Sequence, residues 1–294
     1  MGTNFASEVN QNIGSLQNQG VEFAINAVVL DYGKRFKWDI GYNVTWNQNK
    51  ITNLNGQDDK KPGNGKAGEG NGGKAITYYA VGQPTDVFYL YQARKGVKDD
   101  GSTYWYVVDT DGDGEITESD RVFKHSPVAP VTMGFQMKFQ FYNFDLGMSF
   151  RANIGNYIFN NLVVSRLSSA TVENLSSNKY FYNQLTSVLE TYYVDGYKNS
   201  IYNPEGTELV PGVYSITDRF LEDASFLRCD NITLGYSFTT PKVSGRAYCT
   251  ISNPFVITKY SGLDPEIDTY GGHGIDNSIY PRSMTTVLGI NLQF

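Results

Sequence analysis

Phe36-Lys37-Trp38-Asp39-Ile40-Gly41-Tyr42-Asn43-Val44-Thr45-Trp46-Asn47 alternates without interruption between large apolar residues and polar or small ones. Successive side chains of a strand point to opposite faces, so this stretch is a strand with one fully apolar face. Its length exceeds the roughly 9–11 residues that a tilted strand needs to cross a bilayer. The same period returns downstream. Met133, Phe135, Met137, Phe139 and Phe141 alternate with Gly134, Gln136, Lys138 and Gln140. After Tyr142-Asn143 it resumes with Phe144, Leu146, Met148, Phe150, Ala152 and Ile154 against Asp145, Gly147, Ser149, Arg151, Asn153 and Gly155. Two alternating runs around so short a break predict a hairpin.

Shorter runs extend the pattern in both directions. They are Phe23, Ile25, Ala27 and Val29; Ile232, Leu234, Tyr236 and Phe238; Ala247, Cys249 and Ile251; and Leu288, Ile290, Leu292 and Phe294. That makes about seven strands. The breaks near 31–35, 142–143 and 239–245 are short, whereas 52–131, 156–223 and 254–282 are long. A soluble sandwich has no reason to sort its connections this way. A transmembrane barrel does, with short periplasmic turns and long extracellular loops. The expected fold is all-β: a partial antiparallel transmembrane β-barrel, its final strand ending at the periplasmic side. Trp38, Trp46, Tyr42 and Phe144 are expected at the membrane interfaces.

Composition agrees. The 294 residues include 22 Tyr, 17 Phe and 30 Gly, a mix that favours strands and turns over helices. The net charge of -6 argues against a nucleic-acid partner. Met1-Gly2-Thr3-Asn4-Phe5 opens no basic and apolar leader, so the chain reads as processed or as a piece of a longer one. Cys229 and Cys249 are expected to be small apolar side chains rather than a disulfide.

One motif carries metal chemistry. Asp109, Asp111, Asp113 and Gly114, then Glu115 and Asp120, match the spacing of a calcium loop. Alternate acids in a tight turn converge on one point, and hard Ca²⁺ takes six to eight oxygens. The expected ligands are Asp109, Asp111, Asp113, Glu115 (through its carbonyl) and Asp120, holding a structural calcium in an extracellular loop. The bland reading is a solvated acidic turn. The flanks Trp105–Val108 and Val122–Phe123 read as strand, which argues against a signalling EF-hand.

Nothing points to an enzyme. Gly68, Gly73 and Lys74 imitate a phosphate loop, but Ala75 stands where Ser or Thr would hold magnesium. His125 and His273 are isolated, and no G-x-S-x-G nucleophile elbow occurs. Leu185, Val188, Leu189 and Tyr192 have helical spacing within the second long loop. Tyr104, Trp105, Tyr192 and Tyr193 are candidates for stacking on sugars or for packing within the loops.

From about Asn12 to Phe294 the chain resembles the C-terminal barrel region of the SusC/RagA family of TonB-dependent outer-membrane transporters. The resemblance rests on the order and spacing of short stretches. These are Asn12-Ile13-Gly14-Ser15, Gly20-Val21-Glu22-Phe23, Asp111-Gly112-Asp113-Gly114, Asp120-Arg121 and Asn143-Phe144-Asp145-Leu146. Phe226-Leu227-Arg228, Asn231-Ile232-Thr233-Leu234-Gly235-Tyr236, Gly262-Leu263-Asp264-Pro265-Glu266, Gly274-Ile275-Asp276 and Tyr280-Pro281 follow. The resemblance implies uptake of bulky nutrients, glycans or peptides, across the bacterial outer membrane. It implies a SusD-like surface lipoprotein as partner, TonB as the energy source, and Phe294 as an aromatic barrel-assembly signal. Barrels of this type have about 22 strands around a plug. Seven strands imply that residues 1–294 are the closing part of such a barrel, without its plug domain and N-terminal strands. Two alternatives from other classes are a secreted, calcium-binding β-sandwich that binds glycans, and a small complete pore.

Overall fold

The structure is a computed structural model that describes residues 14–54, 59–67, 73–97, 101, 103–166, 192–194, 213–267 and 274–294. Seven long strands form one sheet: β1 (Ser15–Asp31), β2 (Lys37–Asn53), β3 (Val131–Phe141), β4 (Phe144–Ile154), β5 (Phe226–Thr239), β6 (Ser244–Thr258) and β7 (Thr285–Gln293). They lie side by side in chain order, each antiparallel to the next. The three short turns all fall at one end and the three long connections at the other, as the sequence predicts. Ser244 pairs with Gln293, so β7 ends at the short-turn end. The tightest turn joins Phe141 to Phe144 through two residues, with positive φ at Tyr142. Among the described residues β1 and β7 each have one sheet partner, so the barrel wall is open.

Register turns the alternation of single strands into two continuous surfaces. Ile25, Tyr42, Phe135, Phe150, Cys229 and Phe255 lie in one row across six strands. One residue along, Asn26, Gly41, Gln136, Ser149, Asn231 and Ser252 make the matching row on the other face. The apolar face is uncovered: Phe23 is 54% exposed, Leu234 51% and Leu288 79%. A sandwich would lay a second sheet on this face, and among the described residues none does. The face is therefore the lipid surface of a membrane sheet, and the polar face is the lumen wall.

Aromatics mark the two rims of the apolar band. Trp38 stacks on Phe139 at 5.5 Å and Phe144 meets Tyr236 at 4.8 Å, both near the short turns. Trp46, just past the middle of β2, pairs with Val131, the first residue of β3. Eight residues separate Trp38 from Trp46, about 26 Å of strand, which at a tilt of about 40° rises roughly 20 Å, most of the height of an outer-membrane band. Tyr42 corrects the expectation: it lies midway, between Ile25 and Phe135, and not at an interface.

The buried core lies in the long loops rather than in the sheet. Val87–Tyr91, Thr77–Ala80, Lys60–Pro62 and Arg121–Phe123 form a four-stranded sheet, and Tyr157–Phe159 pairs with Leu221–Asp223. Phe88, Leu90, Tyr91, Phe159, Ile216, Phe220 and Ile275 come from all three long connections and pack into one core. The loops thus form a folded cap. Leu185, Val188 and Leu189 lie outside the described residues. Tyr192, read with them as helical, instead belongs to the short strand Tyr192–Val194, parallel to Thr103–Val107.

Candidate functional site: a polar lumen wall beneath a folded loop cap

The lumen face of the sheet is concave and encloses a trough of about 880 Å³, lined among others by Asn26, Asp39, Gln136, Lys138 and Thr233. Inward side chains bond to one another across strands. Asn231 donates to Ser149 Oγ at 2.7 Å, and the hydroxyls of Thr233 and Thr250 lie 2.9 Å apart. Nearer the short turns, Arg246 grips Asp145 with Nε (2.9 Å) and Nη2 (2.6 Å), a bidentate pair. It lies across Gly235. A Cβ there would sit 2.5 Å from Asp145 Oδ1 and 2.6 Å from Arg246 Nε, so the missing side chain makes room for the ion pair.

At the upper end of the wall the ion pairs interlock. Arg151, inward-facing on β4, donates through Nε to Asp230 (2.8 Å) and through both terminal nitrogens to Glu266, one of them at 2.7 Å. Arg228 of β5 bonds Asp264 and lies 2.7 Å from Glu266 Oε2. Arg282 donates to Glu266 Oε2 at 2.8 Å. Three guanidiniums thus meet three carboxylates. Asp230 is free to join because a bulge between Cys229 and Asn231 leaves it out of the ladder. The same bulge shifts the outward set from Leu227 and Cys229 to Ile232 and Leu234, which is why alternation read from the sequence starts only at Ile232. Sequence reasoning picked out Arg228, Asp264 and Glu266 only as parts of family-like stretches. It missed Arg151 and Arg282. The one available signal was a charge at an inward strand position.

In the cap, Arg121 is buried and donates through Nε to the Tyr89 carbonyl (3.0 Å), through Nη2 to Ala75 O (2.7 Å) and through Nη1 to Glu118 (2.7 Å). It also faces the Tyr89 ring at 4.6 Å. Its neighbour Asp120 is fully buried and accepts the N–H groups of Thr110 (2.6 Å) and Thr117 (2.8 Å). This pair ties the acidic turn to the cap core.

The acidic turn brings together the carboxylates of three of the four expected aspartate ligands. One carboxylate oxygen each from Asp109, Asp111 and Asp120 lie within 4.8 Å of one another. Asp113 is outside this group; its carboxylate accepts the Glu115 N–H at 2.8 Å. The Glu115 side chain is exposed, in keeping with the expectation that this residue would offer its carbonyl oxygen and not its carboxylate. Hydrogen bonds from Gly114 (2.8 Å) and Gly112 (2.6 Å) hold the Asp109 carboxyl below the ordinary carboxylate range. The flanks are strands, Thr103–Val107 and Arg121–Phe123, as expected.

The remaining sequence candidates fall to structural roles. His125 stacks on Tyr157 at 3.7 Å, and burial, aided by Lys124, lowers its pKa. His273 and Gly68 lie outside the described residues. Gly73, Lys74 and Ala75 belong to a small hairpin, Lys66–Ala67 with Lys74–Ala75. Trp105 packs on the cap core with Arg219 over its ring at 4.7 Å. Cys229 and Cys249 are both free thiols, in outward-facing rows.

Comparison with known proteins agrees with this geometry. TonB-dependent receptor SusC of Bacteroides thetaiotaomicron is 39% identical over 305 residues, a match covering 100% of this chain and 28% of that receptor. TonB-dependent receptor P3 of Formosa agariphila is 27% identical over 317 residues, covering 97% of this chain and 29% of the receptor. The solved RagAB peptide transporter superposes with a TM-score of 0.68 at 24% identity, over 97% of this chain and 30% of its own. The RagAB peptide importer in its closed-closed state gives 0.69 at 21% identity, with 97% and 30% covered. No protein-family model matches. The chain spans less than a third of the length of these relatives.

Proposed function

We propose, since this chain belongs to the SusC/RagA family of TonB-dependent outer-membrane receptors, that it forms the C-terminal, closing part of the barrel of a transporter that imports glycans or peptides. The observation that carries the reading is the 39% identity to SusC along the whole chain, on a sheet with one lipid face and one polar face. A seven-stranded open wall has two unpaired edges, which lipid does not tolerate, so the rest of the receptor completes the ring. That remainder supplies the plug and the TonB contact. The folded cap stands at the extracellular mouth, where a SusD-like surface lipoprotein would dock. Neither chain segment nor cap carries a reaction; the role is passage and not catalysis.

Deleting the receptor gene in its host and measuring uptake of labelled oligosaccharides and oligopeptides tests this. Loss of uptake of one class, restored by the intact gene, is the expected outcome. Unchanged uptake of both classes would refute transport.

The convergence of Asp109, Asp111 and Asp120 supports a second, structural reading of the cap: the acidic turn holds calcium. Titration of the purified receptor with CaCl₂ should release heat that Asp111→Ala removes. Equal heats for the two proteins would rule the turn out as the site.

A further inference from the structure

The three short turns carry a charge opposite to that of the chain. Residues 31–37, 142–143 and 239–245 hold four cations, Lys34, Arg35, Lys37 and Lys242, and one acid, Asp31. Their net charge is +3, in a chain whose net charge is -6. The carboxylates at this end are already engaged. Asp39 lies 3.5 Å from the Lys37 ammonium, and Asp145 is bound by Arg246. Asp31 turns one oxygen to the Gly33 N–H at 2.8 Å. Among the described residues, Lys34, Arg35 and Lys242 are exposed and have no carboxylate at ion-pair distance.

The turns form one continuous rim. The Tyr32 N–H donates to the Phe36 carbonyl at 2.8 Å and closes the first turn. The Tyr142 N–H, in the second turn, donates to the Arg35 carbonyl at 3.3 Å. The Ser237 N–H of β5 donates to the Asn143 carbonyl at 2.8 Å, and β5 leads on into the turn that carries Lys242. Tyr32, Phe141, Tyr142 and Phe144 are exposed along the same rim. Arg35 is three residues from Trp38, at most about 11 Å of chain. With Trp38 at the membrane interface, the long arms of Lys34 and Arg35 reach the headgroup layer. The cations therefore border the lipid face directly. A phospholipid joins a phosphate to acyl chains in one molecule, so it matches the cations and the apolar face together. A soluble acidic partner would match the cations alone.

We infer that the rim between the first two short turns is a binding site for an anionic phospholipid of the periplasmic leaflet. Lys34 and Arg35 hold its phosphate, Tyr32 and Tyr142 flank the headgroup, and the acyl chains lie on the apolar face of β1 to β4. Lys242 adds to the field from the third turn. The inference needs only the membrane orientation of the sheet and is independent of the cargo.

The test uses the whole receptor in detergent micelles, with phosphatidylglycerol or phosphatidylcholine of the same acyl chains added. Native mass spectrometry reads the lipid retained. The parent should retain phosphatidylglycerol over phosphatidylcholine. A basic residue near an anionic lipid surface strengthens attachment roughly fivefold, so Lys34→Gln/Arg35→Gln should lower phosphatidylglycerol retention at least tenfold. Lys66→Gln/Lys74→Gln removes the same charge from exposed positions in the cap and should leave retention within twofold. All four residues are exposed, so the variants keep the fold, and an unchanged thermal transition verifies that. Equal retention of the two lipids by the parent, retention unaffected by Lys34→Gln/Arg35→Gln, or equal losses in both double variants would overturn the inference. So would binding of a poly-glutamate peptide in place of the lipid, which would assign the turns to an acidic periplasmic protein.

Discussion

Arg228 offers the sharpest test of how the last loop is held to the barrel wall. The side chains of Arg228 and Asp264 are each 4% exposed, and the same Asp264 oxygen accepts the Glu266 N–H at 2.9 Å. Arg228→Met removes the guanidinium and leaves a buried carboxylate with, among the described residues, that one N–H. Breaking a buried pair from one side costs about 3–5 kcal/mol. Each 1.36 kcal/mol is a factor of ten, so local opening should become roughly two to four orders of magnitude more frequent. Arg151 and Arg282 still hold Glu266, but their side chains are 36% and 43% exposed and retain the loop only weakly. Hydrogen exchange of the segment around Glu266, followed by mass spectrometry on the receptor in micelles, reads this directly. The double variant Arg228→Met/Asp264→Leu removes both charges and should recover most of the lost protection. Exchange within threefold of the parent in the single variant, or no recovery in the double, would refute the argument that an uncompensated charge is what opens the loop.

Three further outcomes follow from the same geometry. Phe135→Arg places a charge on the lipid face at mid-height, in the row of Tyr42, and should destabilise folding into bilayers by about 2–4 kcal/mol. The adjacent Gln136→Arg, exposed to the lumen, should change it little; equal effects in urea titrations would contradict the assignment of faces. Gly235→Ala should cost about 1–3 kcal/mol by overpacking, less so in an Asp145→Ala background. Strict additivity in the thermal transitions would show that the Asp145–Arg246 pair is not what the new methyl displaces. His125 has its pKa lowered below 6.5 by burial, so the folded cap binds its proton more weakly than the unfolded chain. Cap stability should be full above about pH 6.5 and fall as pH drops through the lowered folded value. Opening free energies at Tyr157 from exchange, corrected for intrinsic rates, should show this loss, and His125→Phe should abolish it.

Period-two alternation comes from covalent geometry, so the seven strands, their hairpins and the sorting of turn lengths were legible in the sequence. Leu146, Met148 and Phe150 had to share a face whatever their surroundings. What that face meets is not a local property, because a sandwich core and a bilayer select the same residues. Only the assembled sheet, with Phe23, Leu234 and Leu288 uncovered, makes it the lipid surface. The acidic turn was visible from its spacing, yet spacing could not say that Asp113 turns to its own backbone while buried Asp120 joins Asp109 and Asp111. Nor could it connect Arg151 with Glu266, which lie 115 residues apart. That contact requires β4, the bulge at Asp230 and the fold of the last loop together. Charges seek partners through space, and the chain positions bringing them together are set by sheet register and loop packing, which only the tertiary structure fixes.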